Sequence, residues 1–253
     1  MPKVSIMVLT KDRPVLLKRA LNSIAMQTFR DFEVVIGNCS VDQDTTEVIA
    51  HAEQNGLLIR HIRQDARTSI TACRQQLLEA SLGEYIAPLD DDDCWCDSEK
   101  LHKQISYLQN NPAVVLLGGA MRRVTTEGQV LGLTQRPETD RTLRNSMLLR
   151  NNFATSVVMF HKASALQAGG FEFFENDLAE DYLLWLKLGQ SGSMHSLPDV
   201  LVNYRVTRYS KEKKLGFFIK QRHLIAKFKQ SYPNYWIARI ILGIRIAVYF
   251  LTP

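Results

Sequence analysis

Four consecutive aspartates, Asp90 to Asp93, follow an apolar run in the segment EYIAPLDDDDCWCDSEKL (84–101). In an extended chain residues two apart point the same way, so we expect Asp90 and Asp92 to share one side. Two carboxylates on one side repel each other unless a cation lies between them or they share a proton. Mg²⁺ and Mn²⁺ prefer such oxygen ligands, and Mg²⁺ completes its shell with phosphate and water. The segment predicts a site for a divalent metal ion and a diphosphate, although an acid run taken alone is more often a solvated turn.

The segments before the aspartates predict the first part of an α/β fold. Apolar runs rich in β-branched residues alternate with helical periodicity, which predicts strands at 3–10, 32–37, 57–62 and 85–89 and helices from Pro14 and at 44–54 and 68–81. This alternation indicates parallel strands joined by crossover helices. Ligands of such sheets bind at the carboxyl ends of the strands. The aspartates lie at the carboxyl end of the fourth predicted strand, which favours the metal site over the solvated turn.

The second half of the chain predicts a more mixed set of elements. The patterns indicate helices at 99–110, 162–168 and 179–189 and strands at 114–121, 155–160 and 201–206. Both glycine-rich phosphate motifs are absent, since no GxGxxG follows the first strand and no GxxxxGK[ST] occurs. A bound phosphate would therefore have to be held by a metal ion and basic side chains.

The net charge of +5 over 253 residues is unevenly distributed. The segment from Arg208 to the end has ten Lys or Arg and one acid, a net of +9, which leaves −4 on residues 1–207. This mildly acidic body argues against a nucleic-acid-binding protein, and the basic tail should be attracted to an anionic surface. The N-terminal segment has no signal-peptide pattern, so we expect a cytoplasmic protein.

The end of the tail, residues 235–251, is nearly all apolar. As a helix it would be about 25 Å long, which is shorter than the hydrocarbon core of a bilayer. Arg239 and Arg245 lie within it and would make spanning more costly. We expect peripheral contact of residues 208–253 with the anionic inner face of the plasma membrane. The alternative is a helix packed on the body or in a dimer interface.

Five blocks, in this order, resemble the bacterial family 2 of glycosyltransferases. They are VSIMVLTKDRPVLLKRALNSIAMQTFRDFEVVI, TACRQQLLEASLGEYIAPLDDDDCW, NNFATSVVMFHKASALQAGGFEF, AEDYLLWLKLGQSG and LVNYRV, and they run from about residue 3 to 210. The resemblance implies the GT-A fold, a nucleotide-diphospho-sugar donor and transfer with inversion at the anomeric carbon.

The resemblance also implies a role for each residue of the site. Asp92 would bind the metal ion, Mg²⁺ or Mn²⁺, and Asp90 would contact the metal ion or the ribose. The implied donor-binding residues are Thr10, Asn38, Arg74, Asp90, Asp91 and Arg205. Asp181, beside Glu180, would be the general base that takes the proton of the attacking hydroxyl. The metal ion would neutralise the leaving diphosphate as a Lewis acid.

Some of these residues have a simpler explanation. The helix dipole alone favours Glu180 and Asp181 in the first turn of a helix. Arg205 could be an exposed cation of the last strand.

Three positions depart from the family pattern. Asn38 stands where the family usually has an acid that contacts uracil, and Lys11 stands where an aromatic residue often stacks on the base. Thr207 stands where many members have a histidine near the metal ion. These departures favour looser recognition of the base or a nucleotide other than UDP.

Together the patterns predict an α/β domain of the GT-A type, with a mixed, mostly parallel sheet flanked by helices and a C-terminal helical tail. Residues 1–110 would bind the nucleotide sugar, 111–207 would form the acceptor side and 208–253 the tail. The predicted partners are a nucleotide sugar, with UDP-sugars first, and a glycan or lipid-linked glycan acceptor in surface polysaccharide or lipopolysaccharide synthesis. Two alternatives are a sugar-phosphate nucleotidyltransferase, for which TKDRPVLL supplies no glycine-rich loop, and an inactive homologue acting as a membrane-surface scaffold.

Overall fold

A computed structural model describes residues 1–172, 178–206 and 211–251 of the chain. Within these ranges nine strands form one sheet: β1 Val4–Thr10, β2 Phe32–Asn38, β3 Ile59–Arg63, β4 Tyr85–Asp90, β5 Cys94–Trp95, β6 Val114–Val124, β7 Val130–Thr134, β8 Met159–His161 and β9 Ser193–Arg205. The helices are α1 Pro14–Ala25, α2 Gln43–Gln54, α3 Ile70–Ala80, α4 Lys100–Asn110, α5 Asp140–Met147, α6 Lys162–Gln167, α7 Glu180–Ser191, α8 Lys211–Lys227 and α9 Tyr235–Leu251.

The first half of the sheet is parallel, in the order β3-β2-β1-β4. β1, β2 and β4 are almost completely buried, as their apolar runs predict. Pro14 begins α1, and the side chains of Asp42 and Ser69 accept a backbone N–H at the start of α2 and α3. Since Thr10 pairs with Asn38, the carboxyl ends of β1 and β2 are level. The predicted parallel order of this half is confirmed.

The second half of the sheet mixes directions. β8 is antiparallel to both β4 and β6, β9 is parallel to β6, and β5 is antiparallel to β9. β7 is antiparallel to the last residues of β6, from Met121 to Val124. The sheet is mixed and mostly parallel, with helices against it, so the predicted fold class is confirmed.

Two predicted strands differ from the structure. Residues 155–160 were expected to be one strand, but Thr155–Val157 forms a 3₁₀ turn and only Met159–His161 is a strand. The hydroxyls of Thr155 and Ser156 hydrogen-bond to acidic side chains of the site, and such local bonds compete with regular structure. The strand predicted at 201–206 is the end of β9, which already begins at Ser193.

The tail forms two helices that pack partly on the body. Leu224 and Ile225 of α8, and Phe228 directly after it, are buried in the main core. Of α9, only Ala238 and Leu242 are buried. In the part of the chain with described structure, no helix combines the length and the apolar character needed to cross a bilayer.

Candidate active site

The four aspartates form a tight turn at the carboxyl edge of the sheet. Asp90 is the last residue of β4, and its carbonyl accepts a hydrogen bond from the backbone N–H of Asp93 at 3.0 Å. The side chains of Asp90 and Asp92 are 33% and 23% exposed. Asp91 and Asp93 are buried. The expected two-sided arrangement is therefore present, although the backbone turns here instead of continuing as an extended chain.

Asp91 fixes the turn against β1 and the start of α1. Its carboxylate accepts hydrogen bonds from Thr10 Oγ1 at 2.8 Å and Arg13 Nη1 at 3.1 Å. Burial raises the pKa of Asp91 to about 6, against the opposing effect of Thr10 and Arg13. Arg13 Nη1 also lies 3.7 Å from Asp92 Oδ2. Thr10 and Arg13 therefore hold the first half of the turn in place.

Asp93 fixes the other end of the turn to the second half of the protein. Its carboxylate accepts hydrogen bonds from Ser156 Oγ at 2.6 Å and from the backbone N–H of Arg205 at 2.7 Å. Burial raises its pKa well above the usual aspartate value. Ser156 Oγ also accepts the backbone N–H of Asp90 at 3.1 Å. Both buried acids are used in this way, whereas the side chains of Asp90 and Asp92 remain partly exposed.

Arg74, on α3, joins the turn to α7. Its guanidinium donates to Asp90 Oδ1 at 2.7 Å and to Glu180 Oε1 at 2.5 Å. Although burial opposes it, the pKa of Arg74 lies above its usual value because Asp90, Glu180 and Asp181 surround it with negative charge. One arginine thus neutralises acids from two elements that are distant in sequence.

Glu180 and Asp181 open the first turn of α7. Burial raises the pKa of Glu180 to about 7, which outweighs the attraction of Arg74. Burial also raises the pKa of Asp181 above the usual aspartate value. The preceding residue, Ala179, has a φ of +65°, a region that a non-glycine residue adopts at a cost. Strain of this kind commonly marks functional sites.

Neutral groups hold the carboxylate of Asp181. It accepts hydrogen bonds from Asn151 Nδ2 at 3.3 Å, Thr155 Oγ1 at 3.2 Å and the backbone N–H of Tyr182 at 2.6 Å. No ion pair is recorded for it among the described residues. A carboxylate with neutral partners and a raised pKa remains a competent proton acceptor.

Asp90, Glu180 and Asp181 face a cleft of about 570 Å³. Its walls come from α3, the end of β4, β6, the end of β7 and the segment after it, residues 151–155, the start of α7 and the two residues before it, the end of β9 and α8. The lining residues are Arg74, Asp90, Met121, Arg123, Thr134, Arg136, Asn151, Phe153, Ala154, Thr155, Leu178, Ala179, Glu180, Asp181, Tyr204, Lys213, Lys214, Phe217 and Phe218.

The family model described as "Glycosyl transferase family 2" matches residues 5–170. The chain belongs to this family. Family 2 is an inverting, nucleotide-sugar-dependent class of glycosyltransferases, so the expected enzyme class is confirmed. The match ends just before α7, so the acids of α7 lie outside it.

Two curated relatives illustrate where similar family 2 chains act. The amylovoran biosynthesis glycosyltransferase AmsE of Erwinia amylovora is 27% identical over 228 residues, covering 89% of this chain and 84% of that protein. The GalNAc(5)-diNAcBac-PP-undecaprenol beta-1,3-glucosyltransferase of Campylobacter jejuni is 24% identical over 204 residues, covering 77% of this chain and 62% of that one. The relatives thus include enzymes of polysaccharide and lipid-linked glycan synthesis.

Two solved structures share the fold. TarS of S. aureus in complex with UDP-GlcNAc has a TM-score of 0.71 and 21% identity, over 95% of this chain and 70% of that one. The mannosyltransferase PcManGT of Pyrobaculum calidifontis, solved with GDP-Man and Mn²⁺, has a TM-score of 0.64 and 17% identity, over 96% of this chain and 68% of that one. Solved structures with this fold thus include one complex with UDP-GlcNAc and one with GDP-Man.

The residues at the turn fit a metal ion only together with a substrate. Within the described ranges no three His, Cys, Asp or Glu side chains converge to form a complete metal site. Mg²⁺ commonly takes one or two carboxylates and fills its other positions with phosphate and water. Asp92 is partly exposed and Arg74 already occupies one oxygen of Asp90, so Asp92 has the freer carboxylate.

Most of the other residues predicted to bind the donor are buried. Thr10 and Asn38 are buried, and the Nδ2 of Asn38 has no hydrogen-bond partner within the described ranges. Lys11 is exposed and donates to the carbonyl of Ala66 at 2.8 Å. Arg205 is largely buried. Thr207 lies outside the described residues, so its position near the metal ion stays a prediction.

Four residues of the site were missed from the sequence. They are Arg13, Asn151, Thr155 and Ser156, which contact the aspartates of the turn or of α7. Arg13 lies in KDRP directly after the first strand, a position that could have suggested it. The other three lie in NNFATS, where Asn151 precedes the strand predicted at 155–160 and Thr155 and Ser156 begin it, which is a weaker signal.

Proposed function

We propose that the protein transfers a sugar from a nucleoside-diphosphate sugar to a hydroxyl of a lipid-linked or surface-glycan acceptor. UDP-sugars are the first candidates for the donor. One observation supports the proposal: Arg74 binds both Asp90 of the turn and Glu180, and thereby connects the turn to the helix that carries Asp181, the proposed general base. The acceptor hydroxyl attacks the anomeric carbon from the face opposite the diphosphate and inverts its configuration.

Asp181, not Glu180, is the general base. Glu180 forms a charged hydrogen bond with Arg74, which ties its carboxylate to the donor side. Asp181 is held by neutral donors, and Asn151 and Thr155 set its orientation. An oriented carboxylate with a raised pKa takes the proton of the hydroxyl as the bond to carbon forms.

The donor diphosphate lies at the turn. Asp92, with Asp90, would hold the Mg²⁺ or Mn²⁺ that accompanies it, and this ion would supply Lewis-acid neutralisation of the leaving group. Burial raises the pKa of Asp92, and Arg13 and Arg205 lie close enough to oppose that rise. Arg205 supplies positive charge for the diphosphate. Thr10, Asn38 and Asp91 line the nucleotide side. Of these, Asp91 acts through its bonds to Thr10 and Arg13.

Calorimetry separates this proposal from the inactive-scaffold hypothesis. UDP and GDP are titrated in Mn²⁺ and in EDTA into the wild type, Asp92→Asn and the exposed control Asp31→Asn. We expect binding that requires both Mn²⁺ and Asp92 and that Asp31→Asn leaves unchanged. Absence of binding by either nucleotide, followed by the same result with CMP and dTDP, would support the inactive homologue.

We also propose that α9 lies on an anionic membrane surface. Its outer face carries a stripe of exposed apolar residues, and exposed cations of α8 lie nearby. The stripe consists of Trp236, Ile237, Ile240, Ile244, Val248 and Leu251. A face of this kind next to basic residues favours peripheral binding to anionic lipid.

Vesicle flotation tests the membrane proposal. We expect the wild type to float with phosphatidylserine vesicles at low salt and Ile244→Glu to float less. The control Leu58→Glu changes an exposed apolar residue far from α9 in sequence and should float like the wild type. A wild-type protein that stays in the bottom fraction of the gradient, without floating with the vesicles, would contradict the proposal.

A further inference from the structure

Charged side chains of both signs line the active-site cleft. Arg74 lies among the three acids of the lining, Asp90, Glu180 and Asp181, and two of them bind it directly. The other cations of the lining are Arg123, Arg136, Lys213 and Lys214. With all groups ionised the lining carries five positive and three negative charges. Because Arg74 is already bound by two of the acids, the excess positive charge is carried by the other four cations.

Arg136 is the most unusual of these cations. Its Nε is buried and has no hydrogen-bond partner within the described ranges. Burial lowers the pKa of Arg136, and the positive charge of Arg150 lowers it further. A half-buried guanidinium near a second arginine is destabilised unless an anion completes the hydrogen bonds of its buried nitrogen. Among the described residues no carboxylate forms an ion pair with Arg136.

Arg123 provides a second guanidinium for the same wall. It lies near the end of β6, beside β7. A Cβ at Gly132 would come within 3.4 Å of its Nη2, so the backbone of β7 passes close to this group. No ion pair is recorded for Arg123 in the described part of the chain. Arg123 of β6 and Arg136, two residues after the end of β7, thus both line the cleft.

The donor diphosphate does not account for these arginines. Of the residues that the proposed function gives to the donor, Asp90 lines the cleft, whereas Asp92, Thr10 and Asn38 do not. The cleft instead reaches Asp181 on one side and the aromatic rings of Phe153 and Phe217 on another. Its occupant should combine a hydroxyl, an anionic group and an apolar or sugar surface.

We infer that the acceptor substrate carries an oxyanion close to the attacked hydroxyl, and that Arg136 and Arg123 bind this oxyanion. The planar guanidinium fork suits phosphate, diphosphate or carboxylate, and such charge-assisted hydrogen bonds are strong. The inference rests on the proposed function only in naming the occupant as the acceptor. Three chemical sources fit this site: a lipid-linked diphosphate, a phosphodiester in a polymer, or an acidic sugar.

Calorimetry with small anions tests the site without the unknown acceptor. Inorganic pyrophosphate, dimethyl phosphate and glucuronate are each titrated in EDTA, which suppresses metal-dependent binding at the turn. The proteins are the wild type, Arg136→Gln, Arg123→Gln and Asp92→Asn, with Arg141→Gln as an exposed control on α5. Circular dichroism establishes that each variant is folded.

We expect at least one anion to bind the wild type and to bind Arg136→Gln and Arg123→Gln about 10- to 100-fold more weakly. Asp92→Asn and Arg141→Gln should bind it like the wild type. The anion that binds most tightly identifies the source of the oxyanion. Pyrophosphate would indicate a lipid-linked diphosphate, dimethyl phosphate would indicate a phosphodiester, and glucuronate would indicate an acidic sugar.

Two results would overturn the inference: binding of none of the three anions, or binding that Asp92→Asn weakens and Arg136→Gln does not. The nucleotide titrations with Mn²⁺ are read separately. If they fail while anion binding still depends on Arg136, the proposed function fails and the anion site stands.

Discussion

Lys100 provides a quantitative test of the packing behind the aspartate turn. Its side chain is fully buried at the start of α4, where Nζ donates to Gln104 Oε1 at 2.7 Å. The same Nζ lies 4.1 Å from the centroid of the Trp95 ring. Burial lowers the pKa of Lys100 from 10.5 to about 7, against a weaker opposing effect of Asp97. Folding should therefore release a proton from Lys100 in mildly alkaline solution.

Linkage gives the sign and size of the effect. Between pH 7 and 9 an unfolded lysine stays almost fully protonated, whereas native Lys100 loses its proton, so the unfolded state binds more protons and stability rises with pH. A native pKa of about 7 and an unfolded value of 10.5 give a rise of about 2 kcal/mol in the free energy of unfolding over this interval. Lys100→Met has no such group and should lack this rise.

Urea unfolding at pH 7, 8 and 9 measures the difference. Lys103→Met is the matched control, because Lys103 lies on the same helix but is 39% exposed and contacts Asp97 and Asp199. Those contacts raise its pKa, so Lys103 stays protonated in both states over this range and its removal should leave the slope unchanged. If the free energy of unfolding changes equally with pH in the wild type and in Lys100→Met, Lys100 does not lose its proton beside the Trp95 ring, and the reasoning is refuted.

Three further predictions concern the base and the sheet. Asp181→Asn should lower the rate of nucleotide release from the sugar donor by about 10²- to 10⁴-fold with unchanged nucleotide affinity, and an active variant would remove Asp181 from the base role. Because burial raises the pKa of Asp181, the rate should fall as pH decreases through a value above the usual aspartate range. In Arg74→Gln, which loses a cation that lowers this pKa, the fall should move to higher pH, and an unshifted profile would contradict this coupling. Gly83→Ala would place a methyl group against the backbone of Ser5 and should lower the free energy of unfolding by about 1–3 kcal/mol; Gly243→Ala, with open space around it, should show no such loss in the same denaturant titration.

The first half of the fold could be predicted because its buried strands have recognisable apolar sequences. β1, β2 and β4 are buried on both faces, and each therefore appears as a continuous apolar run. Proline or a capping side chain opens each of the first three helices. These are local signals, so no knowledge of distant partners is needed to detect them.

The missed elements have weak local patterns. β5 has only two residues, and β7 is mostly exposed and contains Gly132. The first part of β9, SMHSLPDV, lacks an apolar run and includes Pro198. Helix α5 is strongly polar, and its capping residue Thr139 was the one available signal. The pairing partners of these segments, not their own composition, decide their structure.

The site shows the same limit. The aspartate run was visible, but the separate uses of Asp91 and Asp93 depend on hydroxyl and backbone groups from other elements. The bond between Arg74 and Glu180 joins residues 106 positions apart. No spacing rule connects such residues, so sequence patterns can name both without showing that they touch.

The hydrogen bond from the backbone N–H of Arg205 to Asp93 has a consequence for synthesis on the ribosome. The two residues are 112 positions apart in the chain, and chains grow at about 5–20 residues per second. The turn therefore stays incomplete for roughly 6–22 s after Asp93 is added. During that interval the nascent chain already has all four aspartates of the turn but not the strand that fixes their geometry. Nucleotide-sugar binding should thus begin only after the end of β9 has been synthesised, and a released fragment ending at residue 110 should not acquire it.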